Sequence, residues 1–319
     1  MKIWKILTSA IILISIIGTV LSKTRFTLKP QRYLEKPKIA TTNLAADEIV
    51  HALLSAQGEL HRWVGHSELA TDPDYSHLSK EDIYAKTQNI AMVHSVESIF
   101  SVKPDLVIMA SFNRKELIEQ VKALGIDVLL LDRFDSFADI KANIEMIGEK
   151  IGAAKNAQSL IEDLDTRVEN LKSKPLRLVN AQAPSFILFS ESSVVMGKKT
   201  SLDSMISLLG GSLVPAELGI EGWGRLNDEA LANAKPDFII STLPLADEKS
   251  LVSHMKSFGA WRFVDSIKAE RILMITHKDL LSISHHFVTG LESLHEKTQL
   301  ALERTKVSFQ QPSIKTKEN

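Results

Sequence analysis

One pattern, spelled twice, constrains this chain more than any other feature. Glu97 stands six residues before Lys103-Pro104-Asp105, and the apolar run LVIM follows at 106–109. Glu229 stands six residues before Lys235-Pro236-Asp237, and FIIS follows at 238–241. Each copy reads as a helix, a proline-marked turn and a buried parallel strand. Two lobes on one plan are the economical explanation. The chain is long enough for both: 319 residues suit about two domains.

Between the copies, apolar runs alternate with helical patterns. Strands are expected at 38–42, 62–65, 105–109 and 127–132, with helices at 46–56 and 115–124, the latter stopped by Gly125. Strand–helix–strand alternation argues for an α/β fold with parallel sheets. Residues 138–173 break the rhythm as a long helical stretch, read as two helices meeting near 148–152. The second, 154–171, would be about 27 Å long and ends before Pro175. The alternation then resumes: strands at 186–189, 237–241 and 271–275, helices at 202–209, 251–258 and 285–304. The expected organisation is a first lobe at 23–153, a connecting helix at 154–173, a second lobe at 174–304 and a disordered tail at 305–319.

Residues 1–22 read as an address. Lys2 and Lys5 precede a nearly unbroken apolar run ending at Val20-Leu21-Ser22. That run, about 16 residues, is short for a bilayer-spanning helix, so cleavage after Ser22 is expected over a retained anchor. The chain contains no cysteine. This excludes disulfides, thiolate metal sites, a thiol nucleophile and a lipid-bearing Cys. A free protein in the periplasm is the expected location. Lys+Arg 38 against Asp+Glu 39 offers no basic excess for nucleic acid. The enzyme motifs G-x-S-x-G, H-E-x-x-H and G-x-G-x-x-G are absent, and no paired carboxylates suggest acid–base work. Gly197-Lys198-Lys199-Thr200 resembles the end of a phosphate-binding loop, but Ser192 holds the first glycine position.

Four segments together carry a family likeness: SVESIFSVKPDLVIM at 95–109, IEMIGEKIGAAKNAQSLIEDL at 144–164, SLDSMISLLGGSLV at 201–214 and LNDEALANAKPDFIIST at 226–242. In this order after a secretion signal, the chain resembles the class III periplasmic substrate-binding proteins. These bind vitamin B12, ferric siderophores or haem for ABC importers. The resemblance implies two α/β lobes, each with a mainly parallel sheet flanked by helices, joined by one long helix, with ligand held between them. It implies a monomer, not an enzyme, without a resident cofactor. A ferric siderophore is the first expectation for cargo, then haem, then cobalamin. A Zn- or Mn-binding transport protein of the same design is an alternative, and a membrane-tethered enzyme using His66 or His94 as base is another.

By the same resemblance, Glu97 and Glu229 would dock on an inner-membrane ABC permease dimer. The plain reading is that acidic residues in a first helical turn favour the helix dipole, and the two roles can coexist. Trp223, in Glu-Gly-Trp-Gly-Arg, reads as a loop indole able to lie on a ligand. Arg225 would face an anionic chelate, or else be a solvated surface residue. His66, His94 and the His285-His286 pair are placed near the cleft mouth, able to ligate haem iron or hydrogen-bond a chelate, or simply to be polar surface. Met92, Ser111 and Phe112 would line the first lobe, with Tyr75 and Tyr84 as weaker candidates. His51, His61, His77, His254, His277 and His295 are given no role.

Overall fold

The computed structural model describes residues 36–84, 90–92, 95–178, 180–243, 247–264, 267 and 271–310, without the side chains of 84, 90–92, 248 and 305–310. The expected signal segment 1–22 and His94 lie outside these residues. So do the side chains of Met92 and Tyr84.

The first lobe is a five-stranded parallel sheet: β1 (Ile39–Thr41), β2 (Trp63–Ser67), β3 (Ile90–Met92), β4 (Leu106–Ala110) and β5 (Asp127–Leu131), in the order β3-β2-β1-β4-β5. Helices α1 (Leu44–Ser55), α2 (Lys80–Tyr84), α3 (Val96–Ser101) and α4 (Lys115–Ala123) connect the strands. Helices α5 (Phe137–Ile151) and α6 (Ala154–Lys172) follow, separated by a left-handed Gly152 with φ of 75°. Their crossing is tight. A Cβ at Gly148 would lie 2.4 Å from the Ala157 Cβ, so only glycine admits this approach.

The second lobe has β6 (Ser185–Leu188), β7 (Val194–Met196), β8 (Ser212–Leu213), β9 (Trp223–Arg225), β10 (Phe238–Ser241) and β11 (Ile272–Met274). Four of these form a parallel sheet in the order β11-β10-β6-β8, and β7 pairs antiparallel with β9. Its helices are α7 (Ser201–Leu208), α8 (Val214–Glu217), α9 (Asp228–Asn233), α10 (Glu248–Ser257), α11 (His277–Leu280) and α12 (Phe287–Gln310). The last helix continues past Arg304 into the segment expected to be disordered. Among the described residues no helix is long and apolar enough to cross a membrane.

Strand alternation explains the core. Ile39, Leu106 and Ile108 point to one face of the first sheet, and Ala40, Val107 and Met109 to the other. Phe186, Phe238 and Ile240 divide likewise from Ile187 and Ile239 in the second. The faces carrying Ile39 and Phe186 belong to one buried apolar cluster, which runs through Ile144, Leu164 and Val168 of α5 and α6 to Leu291 of α12. The lobes therefore share a core. A bidentate Arg167–Glu292 pair, at 2.9 and 2.7 Å, fastens α6 to α12 along it.

The repeated motif is also a structural repeat. Asp105 accepts from the Lys38 amide at 3.0 Å, just ahead of β1. Asp237 accepts from the Ser185 amide at 2.9 Å and from its hydroxyl at 2.8 Å, at the start of β6. In both lobes the aspartate after Lys-Pro thus pins the start of the neighbouring strand. Replacing the acceptor strands those donors. Asp105→Ala and Asp237→Ala should each cost about 1–2 kcal/mol in urea unfolding, and a negligible loss in either would contradict this shared role.

Candidate functional site

Ligands of parallel α/β sheets sit beyond the carboxyl ends of the strands, where the strand order reverses. In the first sheet that point lies between β1 and β4. Thr42 and Asn43 follow β1, and Ser111, Phe112 and Asn113 follow β4. Asn113 Oδ1 accepts from Thr42 Oγ1 at 2.9 Å and from the Ala110 amide at 2.8 Å, closing the gap between the two turns. A cavity of about 450 Å³ opens there, bounded on the second-lobe side by His277, Leu281, Ser282 and Ile283.

Two further compartments adjoin it. One, of about 660 Å³, shares Phe112, Leu281 and Ile283 and brings in Ser111, Phe134 and Trp223. The other, of about 560 Å³, shares Tyr75 and His277 and reaches Thr242, just past β10, and Ile275, just past β11. Together they form one cleft between the lobes. Its aromatic surface is bare: Trp223 is 65% exposed and Phe112 62%. Phe112 and Phe134 rings lie 5.3 Å apart. Tyr75, from the first lobe, meets His277, from the second, edge to face at 5.2 Å.

A buried carboxylate forms the floor. Asn43 caps α1, its side chain accepting from the Ala46 amide at 3.0 Å. That cap directs the first helical turn, with Asp47 and Glu48, inward. Glu48 accepts from the His77 amide at 3.0 Å and from the hydroxyl of Ser284, a second-lobe residue. Asp47 accepts from the hydroxyls of Thr41 and Ser67 and from the Ser67 amide at 3.2 Å. Burial pushes Asp47 from 3.8 up to about 7, against the downward pull of the Ser67 and Thr41 hydrogen bonds. Burial also raises Glu48.

Beside this floor, His77 crosses the seam between lobes. Its ring stacks on His286 at 4.0 Å, and its Nε2 lies 3.1 Å from the Lys278 carbonyl and 3.4 Å from Asp279. His285 lies 4.0 Å from His286. Burial first, and neighbouring histidines next, push His285 down to about 4 and His286 to about 2. Both rings are neutral in the working range.

Several candidate residues from the sequence fall in the cleft, and several do not. Trp223, Ser111 and Phe112 converge on one compartment, although Trp223 sits on β9 rather than in a loop. His66 does not reach the cleft. The sequence reading ends its strand at Gly65, whereas β2 runs on to Ser67, so His66 is wholly buried, with Nδ1 2.7 Å from the Ser67 carbonyl and its ring tilted on Trp63. His285 and His286 precede α12 instead of opening it, and pack into the seam, while Leu281, Ser282 and Ile283 take the cleft wall. Arg225 pairs with Val194 in the β7–β9 ribbon, and its guanidinium donates to the Ser192 carbonyl at 3.3 Å, away from the cleft lining. Met92 ends β3.

His277 was missed, because a lone histidine after an apolar strand carries no spacing signal. Glu48 was missed for lying in what reads as an ordinary helix. Among the described residues, no three His, Asp or Glu side chains come together so as to hold a metal ion.

Residues 39–278 match the family model described as periplasmic binding protein. The chain belongs to that family. This periplasmic binding protein is 26% identical over 208 residues, 63% of its length, to an uncharacterized ABC transporter substrate-binding lipoprotein, YvrC, of Bacillus subtilis strain 168. It is 24% identical over 136 residues, 43% of its length, to the probable siderophore-binding lipoprotein YfiY of the same strain. The chain spans 64% of the first relative and 39% of the second. Its fold matches the periplasmic haem-binding protein BhuT in complex with two haems, with a TM-score of 0.68 at 21% identity over 83% of this chain and 99% of the other. The vitamin B12-binding protein BtuF of Vibrio cholerae gives 0.63 at 18% identity over 83% and 98%. Both likenesses are of fold, two lobes of this type, and the family is one of binding proteins.

The binding protein should show the buried acid in its stability. Folded Asp47 keeps its proton to about pH 7, while the unfolded chain releases it near 3.8. Between these values the folded state binds more protons, so its contribution is complete below 3.8 and is lost as pH rises to about 7. His285 and His286, with lowered values, act oppositely below pH 6.5, but equally in wild type and variant. Urea unfolding from pH 4 to 8 should show wild type losing up to about 4 kcal/mol relative to Asp47→Asn. Parallel profiles would contradict the assignment.

Proposed function

We propose that this periplasmic binding protein is the solute-binding component of an ABC import system, capturing an iron chelate, a ferric siderophore first, and delivering it to a permease dimer in the inner membrane. The observation that carries the reading is the bare aromatic surface of Phe112 and Trp223 in a cleft already formed between two lobes. Large aromatic side chains left open, Phe112 past a parallel strand and Trp223 on the antiparallel ribbon, suit a bulky, partly apolar guest. The gap needs little ordering to receive it, so the entropic cost of binding is small.

Delivery rests on Glu97 and Glu229. They occupy corresponding first-turn positions of α3 and α9, and both are exposed. The helix caps are supplied by neighbours: Ser95 accepts from the Ser98 amide and Asn227 from the Ala230 amide. This leaves each glutamate available to a basic partner, where rim charges set encounter and register.

A haem cargo is the second reading, and Tyr75 with His277 favours it. A phenol and an imidazole approach one another from opposite lobes within the cleft, and both are side chains that ligate haem iron.

The two halves of the proposal separate by mutation. With the permease reconstituted in vesicles, Glu97→Ala plus Glu229→Ala should abolish uptake while leaving the chelate dissociation constant within about twofold. Trp223→Ala should do the reverse, weakening capture by about tenfold or more. A double glutamate variant that transports normally would overturn docking. Unchanged affinity in Trp223→Ala would overturn the aromatic wall.

A further inference from the structure

Resting on the reading of this protein as an iron-chelate carrier, we propose that its cleft selects chelates of little or no net charge, of the ferric trihydroxamate type, and rejects trianionic triscatecholates. Three hydroxamates neutralise Fe³⁺, whereas three catecholates leave a complex of charge −3. A trianion drawn out of water needs an excess of cations around it.

The described residues of the cleft offer none. Arg114, Lys199 and Lys278 are the cations of the lining. Against them stand Asp74, Asp132, Asp135 and Glu221, besides Glu48 in the floor. Lys199 is engaged with Glu221 at 2.8 Å, and Asp132 draws on Arg133 at 3.7 Å. Three cations of the lining thus face four carboxylates, with Glu48 beneath them, and leave no positive excess. The cation the sequence seemed to offer an anionic guest, Arg225, is turned to the Ser192 carbonyl instead. Asp135 and Asp132 moreover share the compartment of Trp223 and Phe112, so a triscatecholate lying on those rings would bring its charge to two carboxylates.

Isothermal titration of the purified full chain at pH 7.5 in 50 and 500 mM salt, with three ferric probes, tests this. The probes are desferrioxamine (charge +1), ferrichrome (neutral) and enterobactin (−3), with haem as a fourth arm. Ferrichrome or ferric desferrioxamine should bind about 100-fold or more tighter than ferric enterobactin at low salt, and the gap should narrow at high salt. Asp132→Asn plus Asp135→Asn should narrow the ratio by about tenfold at low salt. Ferric enterobactin binding equally or more tightly would overturn the charge selection while leaving the carrier reading intact. Binding of haem alone would overturn both the siderophore reading and this inference, as would binding of no probe.

Discussion

Glu48 carries the constraint on which the cleft depends. A carboxylate from the first turn of α1 is held out of water by the amide of His77 and the hydroxyl of Ser284, and so stitches the first lobe to the segment that leads into α12. Such a group is costly to bury and costlier to leave unpaired. Any opening of the lobes along this seam would break the Ser284 bond and leave the buried Glu48 oxygen unpaired. The His77–His286 stack and the Arg167–Glu292 pair cross or brace the same region. Behind them lies a single apolar cluster common to both sheets. Hinge motion would therefore have to expose core, beyond bending a linker.

That rigidity explains why the cleft can be a finished cavity. Strand order fixes its place, at the β1–β4 reversal, and the Thr42–Asn113 bond fixes its first wall. The second wall comes from the stretch after β11 and from the β7–β9 ribbon, which lifts Trp223 clear of the core. Its energetic character then follows. Aromatic rings supply the contact area, the lining's cations are outnumbered by its acidic groups, and Glu97 and Glu229 lie at the first turns of α3 and α9, each followed by a strand-pinning aspartate.

Much of this could be read from the residues alone. The paired Glu-x5-Lys-Pro-Asp units, the apolar strand runs and the glycine near 148–152 each encode a local rule, and local rules survive translation into structure. Trp223 and Phe112 were legible because a large apolar residue beside glycines or past a buried strand has few places to go. The histidines were not. His66 turned on where a strand ended, and a shift of two residues moves a side chain from loop to interior. His285 and His286 turned on where α12 begins. Glu48 and His277 depend on contacts between segments more than 200 residues apart, which no periodicity records.

The most direct measurement of the central claim uses the absence of cysteine from the native chain. Spin labels at Glu119→Cys on α4 and Lys249→Cys on α10, both exposed, report the distance between lobes by pulsed electron resonance. A seam that holds the lobes predicts one narrow distribution, shifting by less than about 2 Å when chelate saturates the protein. A broad or two-peaked distribution in the free protein, collapsing on binding, would contradict the account.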